Sequence, residues 1–175
     1  MKNKILFLFL IFQSSIIYSQ IISDRPSLTD SPLVIGKGYI QIETGISVEE
    51  IQSDINSLVR IGILDGFELR INSNYIINDE ISFQKKSSFN DFEIGSKFRI
   101  LENDEKNTNI GFLTYLSIPT APEVFSYNEY GFINKLLFSH NMTSDSEIAY
   151  NIGYNKFANY DGLFTYSLIY GKSLG

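Results

Sequence analysis

Ser139-His140-Asn141 places a nucleophile, a base and an orienting amide side by side, and His140 is the sole histidine of this 175-residue chain. A serine becomes nucleophilic when an imidazole within hydrogen-bonding reach can take its proton. The surrounding residues read as a strand, however, and neighbours along a strand point to opposite faces. Ser139 and His140 therefore cannot form a direct nucleophile–base pair. One histidine and no cysteine also make a poor zinc set. The expectation is a protein with no catalytic residues, no cofactor and no metal, and not an enzyme.

A second constellation is larger and purely polar: Gln41, Glu43, Arg60, Glu68, Arg70, Glu93, Lys97 and Arg99. Mixed charges on neighbouring strands can pair to hold a wall together, or frame a polar eyelet. Asp24, Arg25 and Asp30 precede the first strand in a Pro-containing stretch. They could fold back as a plug among those charges, or stay in a solvated tail.

What must position these groups is a set of strands, because the dominant signal in the sequence is a period of two. Ile40, Ile42, Ile46 and Val48 alternate with Gln41, Glu43, Ser47 and Glu49. Phe67, Leu69 and Ile71 alternate with Glu68, Arg70 and Asn72. Phe92, Ile94, Phe98 and Ile100 share a face that Ser96 interrupts. Ile110, Phe112, Leu116 and Ile118 share another, with Thr114 among them. Similar patterns cover Glu147–Tyr154 and Phe164–Gly171, and blurred ones cover Leu58–Leu64 and Phe132–Met142. That makes eight strands and no helix after the N-terminal segment. Tight or polar turns at Asp65-Gly66, Leu101–Asn109 and Asn141–Ser146 alternate with looser connections at Ile51–Ser57, Asn78–Ser88, Pro119–Glu129 and Asn155–Gly162. Asp-Gly is a strong hairpin signal. Short turns on one side and longer loops on the other are the habit of outer-membrane barrels. Tyr39, Tyr75, Phe89, Tyr130, Phe157 and Phe164 lie near strand ends, where aromatic girdles meet a bilayer. Alternation alone leaves the outer face open: a soluble barrel or sandwich would put Ile40 and Ile42 inside and Glu43 outside.

The N-terminus speaks to compartment. Lys2 and Lys4 precede the apolar run Ile5–Phe12, the layout of a secretory signal peptide. The run is too short for a membrane helix, which needs roughly 20 apolar residues. Cleavage after Ser19 is expected, giving a signal peptide (1–19), a periplasmic lead-in (20–37) and a β-domain (38–175). Without Lys2 and Lys4, 12 basic residues face 20 acidic ones, a net charge of −8. That balance argues against a nucleic-acid partner. An exported domain with no cysteine must rely on a sizeable core or on a bilayer.

The opening stretch resembles the MetA-pathway of phenol degradation family of bacterial outer-membrane proteins. The shared features are Asp24, Arg25, Pro26, Thr29, Asp30, Ser31 and Pro32, followed by Lys37, Gly38, Gln41, Glu43 and Gly45. Val59–Arg70 (VRIGILDGFELR) resembles the family's hairpin, Asp91–Lys97 (DFEIGSK) a later strand, and Leu116–Thr120 (LSIPT) a further segment in which Ala121 replaces the usual glycine. The leader ending Tyr18-Ser19-Gln20 is similar to those of Bacteroidetes-type bacteria. The resemblance implies an antiparallel up-and-down transmembrane β-barrel in the bacterial outer membrane. It implies a transporter or channel passing small, hydrophobic or aromatic, compounds by passive diffusion. The charged set from Gln41 to Arg99 would then line the lumen, and the partners would be outer-membrane lipid, a small-molecule solute and the barrel-assembly machinery. An outer-membrane barrel with a structural or enzymatic role and a soluble secreted β-barrel binding protein are the alternatives. Family members are longer by several strands, so the chain reads as a C-terminally truncated member.

Overall fold

The computed structural model describes residues 29–78, 87–103 and 105–173. The expected signal peptide, Asp24 and Arg25 lie outside them. The described chain is an antiparallel meander in which each long strand pairs with its sequence neighbour. The strands are β1 (Ile40–Val48), β2 (Gln52–Leu64), β3 (Phe67–Asn78), β4 (Ser87–Phe89), β5 (Phe92–Asn103), β6 (Thr108–Ile118), β7 (Gly131–Thr143), β8 (Ser146–Phe157) and β9 (Leu163–Lys172). The order across the sheet is β1-β2-β3-β5-β6-β7-β8-β9, with β4 a three-residue addition to the end of β3. The sheet curls into a half-barrel, so the eight expected long strands are present and β4 is a ninth, minor one.

Two boundaries differ from the sequence reading. Ile51–Ser57 is not a loose connection: β2 starts at Gln52, and only residues 49–51 separate it from β1. Gln52, Asp54 and Asn56 sit on the inward face of β2, so a polar run that resembles a loop is the wet half of a strand. Likewise Leu101–Asn109 is mostly strand, since β5 runs through Asn103 and β6 begins at Thr108.

The two faces are inverted relative to a soluble domain. The buried, concave side carries Glu43, Arg60, Glu68, Arg70, Lys97, Ser117, Ser139 and Asn151, with Leu113, Tyr115 and Leu137 as a small apolar cluster. The convex side exposes Ile40, Ile42, Ile46, Ile71, Ile94, Phe98, Phe132, Leu136, Ile152 and Leu168. Exposed apolar patches on monomeric soluble proteins rarely exceed a few hundred Å², and this face runs the width of the sheet.

Aromatic rings border that face at two heights. Near the short turns, Phe67 meets Phe98 at 4.9 Å, Phe98 meets Phe112 at 6.4 Å and Phe138 meets Tyr150 at 4.8 Å. Near the loops, Tyr75, Phe89 and Phe92 form one group and Tyr154 packs on Phe164. Phe92 and Phe98 are six positions apart on β5, about 20 Å along a strand, close to the roughly 25 Å apolar band of a membrane barrel. The residues that interrupt the alternation also fall into line. Ser96 pairs across strands with Thr114, and Thr114 with Asn134, where the Thr114 hydroxyl donates to Asn134 Oδ1 at 2.8 Å.

Candidate functional site

The concave face is filled by the chain's own lead-in. Residues 29–36 run as an irregular strap along the inner wall before a turn at Lys37-Gly38 admits β1. Pro32 and Ile35 of the strap are buried against the sheet, and polar contacts tie it down along its length. The Ile35 N–H donates to Glu68 Oε2 at 2.7 Å. Lys97 Nζ donates to the carbonyl oxygens of Ser31 (2.8 Å) and Leu33 (3.3 Å), and Arg60 reaches the Leu33 carbonyl at 3.4 Å. Asp30 takes Lys135 Nζ at 2.7 Å and lies 3.9 Å from the Arg70 guanidinium. With its amide suitably oriented, Asn151 brackets the Asp30 backbone, donating to its carbonyl and accepting from its N–H. Asp30 therefore docks on the concave face.

Two glycines make room for the strap. A Cβ on Gly62 would stand 2.0 Å from the Gly36 carbonyl oxygen, and one on Gly111 would stand 2.8 Å from that of Pro32. The glycine of the Val59–Arg70 hairpin thus has a physical reason: another backbone occupies its side-chain space. Gly95 does similar service for a ring. Its missing Cβ lets Tyr115 lie against β5, from where the Tyr115 hydroxyl accepts from Arg70 Nε at 2.6 Å.

Beneath the strap lies a closed ionic network. Arg60 bridges Glu43 (3.0 Å) and Glu68 (2.9 Å), and Glu68 also takes Arg70 Nη1 at 3.1 Å. Gln41 donates to Glu43 at 2.9 Å. A buried charge is costly unless paired and hydrogen-bonded. Here Arg60, Arg70 and Lys135 pair with Glu43, Glu68 and Asp30, while Lys97 is held by the strap's carbonyl oxygens. Towards the loops amides join the lining. Asn72 Nδ2 donates to Glu93 at 2.7 Å, and Asn56 contacts Asn72 and Asn74.

The structure gathers seven of the eight expected lumen residues on the concave face: Gln41, Glu43, Arg60, Glu68, Arg70, Glu93 and Lys97. Arg99 continues the alternation of Glu93 and Lys97, opposite Gly111, but it lies partly exposed at the short-turn rim and pairs with Glu102 three residues on. Ser139 and His140 point oppositely, as strand geometry requires. Ser139 is buried on the concave side, while His140 contacts Thr108 Oγ1 (3.0 Å) and Tyr150 OH (3.3 Å) on the convex side. Sequence reasoning missed Lys135, Tyr115 and Asn151. Lys135 alternates with Ile133 and Leu137 on one face of β7, a signal blurred by the apolar run Leu136-Leu137-Phe138.

An antiparallel sheet curled around paired charges, with its apolar face outward, is a barrel-type sheet turned inside out relative to a soluble protein. A family model described as Putative MetA-pathway of phenol degradation matches residues 23–175, and the chain belongs to that family. No curated protein and no solved structure matches it significantly.

Proposed function

We propose that this chain is an outer-membrane β-barrel protein that passes small solutes by passive diffusion along its polar lumen, without catalytic chemistry. One observation carries the reading: the charged residues are buried on the concave side, while the convex side is apolar and ringed by aromatics at two heights. Burial of that kind fits a protein whose outer solvent is lipid and whose interior is wet. Its partners would be outer-membrane lipid, a small solute and the barrel-assembly machinery, and it would reach them through the exported N-terminus. The strap would narrow the passage at the short-turn end.

Fractionation and conductance test this together. The full chain is expected in the membrane fraction, extractable only with detergent, and to give discrete current steps in a planar bilayer. Recovery in a detergent-free periplasmic extract would overturn the membrane assignment. Current no greater than detergent alone produces would overturn the permeation role.

A further inference from the structure

Asp91, only 4 % exposed, spends its carboxylate on a loop. Its Oδ1 accepts from the Thr120 N–H (3.0 Å) and the Ala121 N–H (3.1 Å), and its Oδ2 from the Ser126 hydroxyl (2.9 Å) and the Tyr127 N–H (2.9 Å). Four donors from one loop on one buried carboxylate fix the backbone between β6 and β7, including the 3₁₀ turn Glu123–Phe125. Tyr127 is held from a third side by Phe157, ring to ring at 4.2 Å. The loop so held leans back towards β2 and β3. Between them lies a cavity of about 430 Å³, walled by Val124, Phe125, Ser126 and Tyr127 on one side and by Gln52, Ile76, Asn78 and Asn90 on the other. Asn90 is itself pinned, exchanging backbone and side-chain hydrogen bonds with Asn74.

The wall chemistry selects a ligand class. It offers three amides and a hydroxyl, which supply donors and acceptors, against valine, isoleucine and two aromatic rings. Among the described residues it includes no Lys, Arg, His, Asp or Glu. Against the described wall a charged solute would lose hydration to amides and rings and meet no opposite charge, which costs far more than desolvating a hydroxyl that finds a partner. The volume lies within the range of small-molecule sites. We infer that this cup at the loop end of the lumen is a binding site for small uncharged molecules that combine an apolar body with a hydroxyl or carbonyl group, and that Asp91 is its positioning residue. The inference rests on the reading of the lumen as a solute path and names the chemistry admitted at its entrance.

The test uses the full chain in detergent micelles and three probes of one shape: benzyl alcohol, benzoate and benzylammonium. Saturation-transfer NMR and equilibrium dialysis read the binding. Benzyl alcohol is expected to bind saturably, at least ten-fold more tightly than either ion. Asn78→Leu and Phe125→Ala are each expected to weaken it several-fold, while His140→Gln on the convex face leaves it unchanged. Asp91→Asn should weaken it too, together with loss of amide protection at Thr120 and Tyr127. Heat-modifiable gel mobility and bilayer conductance of each variant separate a lost site from a lost fold. Equal binding of all three probes, or binding indifferent to both Asn78→Leu and Phe125→Ala in folded protein, overturns the inference. A wild-type protein that conducts but does not discriminate sinks the cup and leaves permeation standing. One that discriminates but does not conduct supports the cup and sinks permeation.

Discussion

Two aspartates hold irregular chain against this sheet, and they do it differently. Asp30, at the short-turn end, is tied by ion pairs to Lys135 and Arg70, beside a network in which Arg60 and Glu68 are fully buried. Asp91, at the loop end, is tied only to neutral donors, three of them backbone N–H groups. One end of the concave face is thus stitched by charge and crossed by a strap; the other is shaped by hydrogen bonds. Ion pairs hold segments whose partners come from several strands at once. Backbone amides on a carboxylate fix the shape of a single loop.

The strongest way to break this contrast is Arg60→Ala, which strands Glu43 and Glu68 without their shared cation. Removing one partner of a buried pair costs about 3–5 kcal/mol. Urea unfolding followed by gel mobility should show a loss of that size, and a shift under 1 kcal/mol would mean the network is solvated rather than closed. Asp91→Ala should cost about 2–3 kcal/mol, on the scale of one or two charge-assisted hydrogen bonds once water replaces the others. The loss should be local, seen as faster hydrogen exchange at Thr120, Ala121 and Tyr127 with Ile35 unaffected. Spread of that exchange to Ile35 would show the two ends to be coupled. Gly62→Ala pushes a methyl into the Gly36 carbonyl, at about 1–3 kcal/mol for an overpacked site. It should lift the strap and raise single-channel conductance, and unchanged conductance would remove the strap from the solute path. Lys135→Gln is the mildest. Its side chain is 26 % exposed and that of Asp30 17 %, so the pair is worth about 1 kcal/mol or less. A difference from wild type that persists undiminished in 1 M salt would contradict that assignment.

Much of the sheet was legible because its signal is local. Alternation placed Glu43, Arg60, Glu68, Arg70 and Lys97 on one face, and Asp65-Gly66 fixed a hairpin. The start of β2 was not legible, because Gln52, Asp54 and Asn56 face a polar interior and Ser53 and Ser57 give no apolar counter-face. Arg99 follows the same alternation, but that it sits at the rim and meets Glu102 rather than the buried network was not legible, because alternation gives a face and not a depth. The docking of Asp30 needed the curvature of the sheet, since its partner Lys135 is 105 residues away. Ser96, Thr114 and Asn134 looked like separate faults in three strands. Register shows them to be one polar row, in which the Thr114–Asn134 pair satisfies its own hydrogen-bonding groups.

The strap also sets an order of assembly. Each long strand pairs with its sequence neighbour, so the meander can zip up by short loop closures. The strap's ties span 27 residues from Arg60 to Leu33, 66 from Lys97 to Ser31 and 105 from Lys135 to Asp30. Closure entropy rises with span, and each tie must wait for its strand. The lead-in is therefore laid down backwards, from Ile35 towards Asp30, as successive strands arrive. Pulse-labelled hydrogen exchange during refolding should protect the Ile35 amide before that of Asp30, and the reverse order would refute this sequence of events. The last residue of the strap to settle then reports that β7 and β8 are already in place.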